Sequence, residues 1–197
     1  MTDFALLSDA SRHLLRHGFT PEAVATALGK LGAALGVDRV YIFENSVDPS
    51  TGATLMSQRY EWSAGEATPQ IDNPALQDLP YREGCPDWED VLRRGEVVNG
   101  LPRDMAPATR ELLESQEIQS LLVCPILVDG VWWGFVGFDD CRTPRAWPPQ
   151  ERLVLQFLAK ALAGALRNDK ARPRLQVLQT SLQDSIDRCE NVVSGAP

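Results

Sequence analysis

Two carboxylates, a thiol and a guanidinium stand together at the end of one apolar stretch. Asp139, Asp140, Cys141 and Arg142 follow the run VWWGFVGF without a break. A carboxylate at this place can orient a polar ligand or cap the segment that follows, and both interpretations stay open. The neighbouring acid raises the pKa of the Cys141 thiol and the neighbouring arginine lowers it, so a redox-sensing cysteine is a further hypothesis.

A second set of candidates consists of aromatic rings and one pair of charged side chains. Aromatic rings bury a large apolar area and keep polar edges free, which suits the wall of a ligand pocket. The alternative is that each ring is simply part of the hydrophobic core. Arg103 and Asp104 follow Pro102 in a loop, where they could fix a charged ligand through paired hydrogen bonds or form a surface ion pair. The aromatic candidates are Tyr60, Trp62, Trp88, Trp132 and Phe138.

A β-hairpin within residues 121–142 must position the first of these groups. Asp129 and Gly130 separate two apolar runs, and this dipeptide favours the positive φ angles of a type I′ turn. Both runs are apolar on both faces, which indicates strands that are covered on both sides or that border a cavity. Gly134 and Gly137 lie within the second run, where glycine usually marks a close approach of another group. We therefore predict the central hairpin of a small domain.

The remaining elements follow from periodicity and turn residues. Thr20 and Pro21 supply an N-cap and a first helical residue, and Gly36 ends that helix. Pro173 should interrupt the long C-terminal helix, with a further amphipathic helix beyond it. Besides the hairpin, the predicted order is a helix before residue 18, strands over 37–44 and 54–62, an irregular loop over 63–84, a helix over 86–94, a strand over 96–101, a helix over 107–116 and a long helix from Trp147.

Composition restricts the class of protein. The chain has 197 residues, 44% hydrophobic and 23% charged, which is typical of a globular protein. Its net charge of −8 argues against a nucleic-acid partner. No apolar run approaches the roughly 20 residues that span a bilayer, and the N-terminus lacks the segments of a signal peptide. We therefore expect a cytoplasmic protein without a membrane span.

Cysteines and histidines give no sign of a metal site. The cysteines form no CxxC pair, which favours free thiols in a reducing compartment. His13 and His17 are one helical turn apart, but no third ligand stands near them. The predicted organisation is an N-terminal helix over 1–18, one domain over 19–168 and a helical extension over 169–197.

The order of elements resembles the GAF domains found with bacterial histidine kinases and cyclic-di-GMP enzymes. The resemblance implies an α+β, PAS-related fold, with a twisted antiparallel sheet of five or six strands and helices on its faces. It also implies a small-molecule pocket between the sheet and the loop-rich middle. The matching phrases are GVDRVYIFEN at 36–45, SQRYEW at 57–62, QIDNPALQDLPY at 70–81, IQSLLVCPILVDGVWWGFVGFDDCR at 118–142 and W-x-x-x-E at 147–151.

The resemblance does not name a ligand, so the cofactor stays unknown. Members of the family bind cyclic nucleotides, bilins, haem or 2-oxo acids, and many have no known ligand. Residues 18–197 contain no histidine for a haem, and Cys85 is followed by Pro86 instead of the histidine usual at a bilin attachment. The cyclic-nucleotide signature NKxnFx3DE is absent as well.

These expectations combine into one leading hypothesis and two alternatives. The leading hypothesis is a non-catalytic sensory domain that binds a small molecule, dimerises through its terminal helices and signals to a kinase or cyclase in a two-component or cyclic-di-GMP pathway. The alternatives are a thiol-based reductase of the free methionine sulfoxide reductase type and a dimerisation scaffold without a ligand. The expected ligand-binding residues are Tyr60, Trp62, Trp88, Arg103, Asp104, Phe138, Asp139 and Cys141.

Overall fold

A computed structural model describes residues 3–65 and 67–194 of the chain. The helices are α1 (Asp3–His17), α2 (Pro21–Leu35), α3 (Tyr81–Gly84), α4 (Glu89–Arg93), α5 (Pro107–Glu114) and α6 (Pro149–Ser194). The strands are β1 (Arg39–Val47), β2 (Thr54–Ser63), β3 (Leu79–Pro80), β4 (Val98–Gly100), β5 (Ser120–Val128) and β6 (Val131–Asp140). Short 3₁₀ turns occupy Pro74–Leu76 and Pro102–Asp104. Among the described residues, no helix is both long and apolar enough to cross a membrane.

The strands form one antiparallel sheet in the order β3-β2-β1-β6-β5-β4. This confirms the predicted α+β fold with a sheet of five or six strands. The central hairpin is also confirmed, because Asp129 and Gly130 have φ angles of 52° and 79°, as a type I′ turn requires. The positive φ of Gly36, 63°, likewise ends α2 at the expected residue.

The sheet is covered on both faces. Leu122, Cys124 and Ile126 of β5 pack with α1, α2 and α6 on one face, which we call the helical face. Leu121 and Val123 point to the opposite face, which we call the loop face, where α3 to α5 and the connecting loops pack. Burial on both sides explains why the two strands are apolar at successive positions.

Gly134 and Gly137 are required by close approaches to β1. A Cβ atom on Gly134 would lie 2.0 Å from the backbone oxygen of Phe43, and one on Gly137 would lie 2.4 Å from the ring of Tyr41. The prediction that these glycines mark a close approach is therefore confirmed.

The prediction that Pro173 interrupts the last helix is wrong. Helix α6 runs without a break from Pro149 to Ser194. An internal proline costs a helix about 3 kcal/mol, but Lys170, Arg174 and Gln176 on either side favour helix, and the helix continues through Pro173. The part of the predicted extension that is described, 169–194, is thus continuous with the last helix of the domain. The predicted helix over 86–94 is shorter, since only Glu89–Arg93 is helical.

Candidate functional site

A cavity lies on the loop face of the sheet. The free space, with the open mouth included, is about 420 Å³. The enclosed cavity volume is only about 30 Å³. That volume corresponds to about two waters. The lining comes from strands β1, β2 and β6, from helix α5 and from the loops beside them. The lining residues are Arg39, Tyr41, Phe43, Met56, Gln58, Glu61, Gln70, Leu76, Cys85, Trp88, Leu112, Leu113, Gln116, Ile118, Phe135 and Asp139.

The floor of the cavity is built from directly opposed residues of β1 and β6. Phe43 stands opposite Phe135, and their rings stack with centroids 4.7 Å apart and planes 11° apart. Tyr41 stands opposite Gly137, whose missing side chain leaves room for the tyrosine ring. The result is an aromatic cluster next to the polar end of the strands.

A buried ion pair closes that polar end. Nη2 of Arg39 lies 3.4 Å from Oδ2 of Asp139, and the Tyr41 hydroxyl donates a hydrogen bond of 2.8 Å to Oδ1 of Asp139. Arg39 also donates from Nη1 to the carbonyl oxygen of Thr68 (3.1 Å) and from Nη2 to that of Gln116 (2.9 Å). One guanidinium therefore contacts the loop that covers the cavity, the turn that follows α5 and the end of β6.

Burial dominates the protonation of this cluster. It raises the pKa of Asp139 to about 7, although Arg39 and the Tyr41 hydroxyl both lower it. Burial, followed by the charge of Asp139, raises the pKa of Tyr41 well above its usual value of 10.0. Tyr41 is thus a neutral donor, and Asp139 can exchange a proton near neutral pH.

Three residues of the lining each have a buried polar atom without a partner among the described residues. The atoms are Nε of Arg39, Oε1 of Gln58 and Nε1 of Trp88, and all three are buried. A buried polar atom without a hydrogen bond costs on the order of 1–3 kcal/mol. These atoms are therefore positions where a ligand or water would be held.

Two of the predicted site residues, Trp88 and Asp139, line this cavity. Three others lie on the helical face of the sheet. The ring of Tyr60 is 5.4 Å from that of Phe19, and Phe138 is 6.2 Å from Trp147. The ring of Trp62 lies against Gly32 of α2. The structure therefore places Tyr60, Trp62 and Phe138 against the helices and outside the lining of this cavity.

A β-bulge explains the position of Tyr60 and Trp62. In the β1–β2 ladder Ile42 pairs with Tyr60 and Phe43 pairs with Gln58, so Arg59 has no opposite residue on β1. The extra residue reverses which side chains face the loops. Gln58 consequently lines the cavity, whereas Tyr60 points to the helices.

The remaining candidates lie outside the cavity. Arg103 and Asp104 are exposed, with Nε and Oδ1 4.0 Å apart, so they form the surface ion pair. Cys141 borders a separate surface depression beside Asp38, which accepts a hydrogen bond of 2.8 Å from the Cys141 backbone N–H. Trp132 packs against Tyr81 at 5.0 Å on the loop face without lining the cavity.

Sequence reasoning missed Arg39, Tyr41, Phe43 and Gln58. A signal for the first three was present in VDRVYIFE, where they stand at alternate positions of one strand and Arg39 is a charged residue among apolar ones. Gln58 had no such signal, because the bulge at Arg59 decides its direction.

Burial also sets the chemistry of the thiols. Cys85, Cys124 and Cys141 are not joined in disulfides. Burial raises the pKa of Cys124 to about 12 and that of Cys141 to about 12, and it raises that of Cys85 further. Each of these thiols is therefore protonated near neutral pH and a poor nucleophile.

Comparisons with known proteins identify the family. The sequence model of the GAF domain matches residues 20–166. The chain belongs to the GAF domain family. This confirms the resemblance carried by the hairpin and the flanking phrases.

Relatives of this GAF domain include much longer histidine kinases. The methanogenesis regulatory histidine kinase FilI of Methanothrix harundinacea is 41% identical over 182 residues, which cover 92% of this chain and 20% of FilI. The circadian input-output histidine kinase CikA of Synechococcus elongatus is 24% identical over 197 residues, 92% of this chain and 26% of CikA. The chain thus spans about a fifth to a quarter of these relatives.

Solved structures share the fold. The phycoerythrobilin-bound GAF domain of a cyanobacterial phytochrome superposes with a TM-score of 0.68 at 16% identity, covering 87% of this chain and 98% of that one. The phycocyanobilin-bound GAF domain of a cyanobacterial phytochrome gives 0.66 at 17% identity, covering 85% and 95%. At this identity the likeness concerns the fold alone.

Proposed function

We propose that this GAF domain is a non-catalytic sensor that binds a small molecule in the cavity on the loop face and signals through its terminal helices to a histidine kinase. The observation that carries the proposal is the position of Arg39. Its guanidinium contacts the segment that covers the cavity at Thr68 and the end of β6 at Asp139. A ligand that moves this segment therefore acts on the strand that leads into α6.

The connection from β6 to α6 is held by carboxylates. Asp140 accepts hydrogen bonds from the backbone N–H groups of Arg142 (3.0 Å) and Thr143 (2.8 Å). Arg145 forms ion pairs with Asp140 and with Glu151 in the first turn of α6. The β6 end, the connection and the start of α6 can thus shift together. A ligand biases this shift only if it binds one arrangement more tightly than the other.

A histidine kinase is the output that we propose, in preference to a cyclase. FilI and CikA are histidine kinases, and FilI is 41% identical to this chain. The same relationship supports a two-component pathway as part of the proposal.

Apolar side chains on the terminal helices support the proposed homodimer. Leu15 of α1 and Leu153, Phe157 and Val177 of α6 are between 47% and 69% exposed. Leu153 and Phe157 are four residues apart and share one side of the helix. A second copy of the chain would bury these side chains against its own α1 and α6.

The protonated thiols argue against the reductase alternative. An attacking cysteine needs a thiolate, and burial keeps Cys85, Cys124 and Cys141 protonated. The enclosed cavity volume is only about 30 Å³. This small volume favours the other alternative, a scaffold whose pocket is filled by its own side chains.

Hydrogen exchange with and without a bound metabolite tests the sensor. A metabolite collection is first screened by thermal shift, and a stabilising compound is then used for exchange measured by mass spectrometry. We expect slower exchange over residues 67–78 and also over 140–152, at the start of α6. Slower exchange over 67–78 alone would contradict the coupling, and the absence of any stabilising compound would favour the scaffold.

A further inference from the structure

The unpartnered atoms of the cavity define what a ligand must offer. Nε of Arg39 and Nε1 of Trp88 are donors, and Oε1 of Gln58 is an acceptor. The three residues are 1%, 3% and 4% exposed, so bulk water does not satisfy these atoms. A complementary ligand therefore presents at least one acceptor and one N–H or O–H donor.

The charges of the lining argue against an anionic ligand. Among the described lining residues, Arg39 is the cation, and it is already paired with Asp139. Glu61 also lines the cavity, and its carboxylate accepts hydrogen bonds from the backbone N–H of Gln70 (2.8 Å) and the hydroxyl of Ser63 (3.0 Å). A carboxylate or phosphate would enter this buried space without a counter-charge, which is costly.

The apolar surface favours a flat ring. Phe43 and Phe135 are stacked, and Trp88 meets Phe135 edge to face with centroids 6.0 Å apart. Aromatic side chains pack well against the edge or face of a planar ligand. The enclosed room, about two water molecules, excludes a large conjugated system, and a single ring would extend from it into the mouth of the cavity.

We propose that the cavity binds a small uncharged cyclic amide, a ring that carries a carbonyl acceptor beside an N–H donor. The carbonyl accepts from Nε1 of Trp88 or Nε of Arg39, and the ring N–H donates to Oε1 of Gln58. This inference rests on the proposed function, since it names the ligand class of the same cavity.

Three probes of matched ring size test the class. The probes are 2-pyridone, which is a neutral cyclic amide, benzoate, which is an anion, and toluene, which has no polar group. Binding is followed by NMR on the indole N–H signals of the whole chain, and the Trp88 signal is assigned from Trp88→Phe. We expect 2-pyridone to shift the Trp88 signal at millimolar concentration and to bind at least tenfold more tightly than benzoate or toluene.

Three variants locate the binding site. Trp88→Phe removes the indole donor, and Gln58→Met removes the acceptor at nearly constant length. We expect each to weaken 2-pyridone binding about tenfold, because one buried hydrogen bond is lost. Trp147→Phe is the matched control, because Nε1 of Trp147 is also unpartnered but lies on the helical face. Its affinity should stay within twofold.

Each other outcome overturns the inference. Tighter binding of benzoate, or unchanged affinity in both cavity variants, removes the assigned class. If none of the probes binds but a charged metabolite from the thermal-shift screen does, the sensor stands and the cyclic amide is wrong. If no compound binds and ordered water satisfies the Trp88 indole, both the class and the sensor are wrong.

Discussion

Arg39 and Asp139 stand opposite each other on neighbouring strands, and their side chains form an ion pair with 1% and 3% exposure. The same guanidinium donates to the carbonyl oxygens of Thr68 and Gln116. Three segments that are distant in sequence therefore meet at one buried charge. The fold of the cavity and its proposed coupling to α6 both depend on this contact.

Replacing Arg39 should destabilise the domain strongly. Arg39→Met leaves the carboxylate of Asp139 buried without its partner and removes two hydrogen bonds to carbonyl oxygens. We expect the free energy of unfolding to fall by about 3–5 kcal/mol, measured by urea denaturation. The control is Arg59→Met, because Arg59 forms an exposed ion pair with Glu44 at 3.0 Å and should cost less than about 1 kcal/mol. Equal losses would contradict the role of Arg39.

Asp139 should make stability depend on pH. Burial raises its pKa from 3.8 to about 7, so between these values the folded chain binds more protons than the unfolded chain. The contribution of Asp139 to the free energy of unfolding is therefore complete below about pH 4 and falls as the pH rises to about 7. Urea denaturation from pH 4.5 to 8 measures the free energy of unfolding as a function of pH. In Asp139→Asn the decrease that Asp139 causes should be absent. Parallel curves for the two proteins would rule it out.

The glycines of β6 should not tolerate a methyl group. In Gly134→Ala the new Cβ would lie 2.0 Å from the backbone oxygen of Phe43, and in Gly137→Ala it would lie 2.4 Å from the Tyr41 ring. We expect each variant to lose about 1–3 kcal/mol of unfolding free energy, with the larger loss at Gly134, where backbone must move. Gly65→Ala is the control, since nothing lies within 4 Å of its Cβ, and thermal unfolding compares the three.

The Cys141 thiol should react slowly with alkylating reagents. Burial raises the pKa of its thiol from 9.0 to about 12, which lowers the thiolate fraction at neutral pH by roughly a thousandfold. Alkylation by iodoacetamide, followed by mass spectrometry, should be slower by a similar factor than in the same chain unfolded in urea. Fast oxidation of folded Cys141 by dilute peroxide would revive the redox-sensor hypothesis.

A charge on the exposed side of α6 should dissociate the proposed dimer. Phe157→Asp places a carboxylate among side chains that a second copy would bury, whereas Val131→Asp changes an exposed valine at the hairpin end. Sedimentation at micromolar concentration should give a dimer for the wild type and Val131→Asp, and a monomer for Phe157→Asp. A wild-type monomer, or a Phe157→Asp dimer, contradicts the interface.

Local sequence signals were sufficient for much of the backbone. Asp129 and Gly130 predicted the turn, and Gly134 and Gly137 predicted the close approach to β1. These signals act within a few residues or through steric limits that only glycine meets, so they can be read from the chain. Pro173 was misread, because one unfavourable residue does not end a helix whose neighbours favour it.

What the sequence by itself determined is therefore the family, the antiparallel sheet and the polar cluster at the end of β6. Only the tertiary structure decided which side chains face the cavity. The bulge at Arg59 turns Gln58 toward the loops and Tyr60 toward the helices, and the pairing of β1 with β6 brings Arg39 to Asp139, a hundred positions away. Strand register and long-range pairing depend on the free energy of the whole packed sheet, and a pattern of period two contains neither.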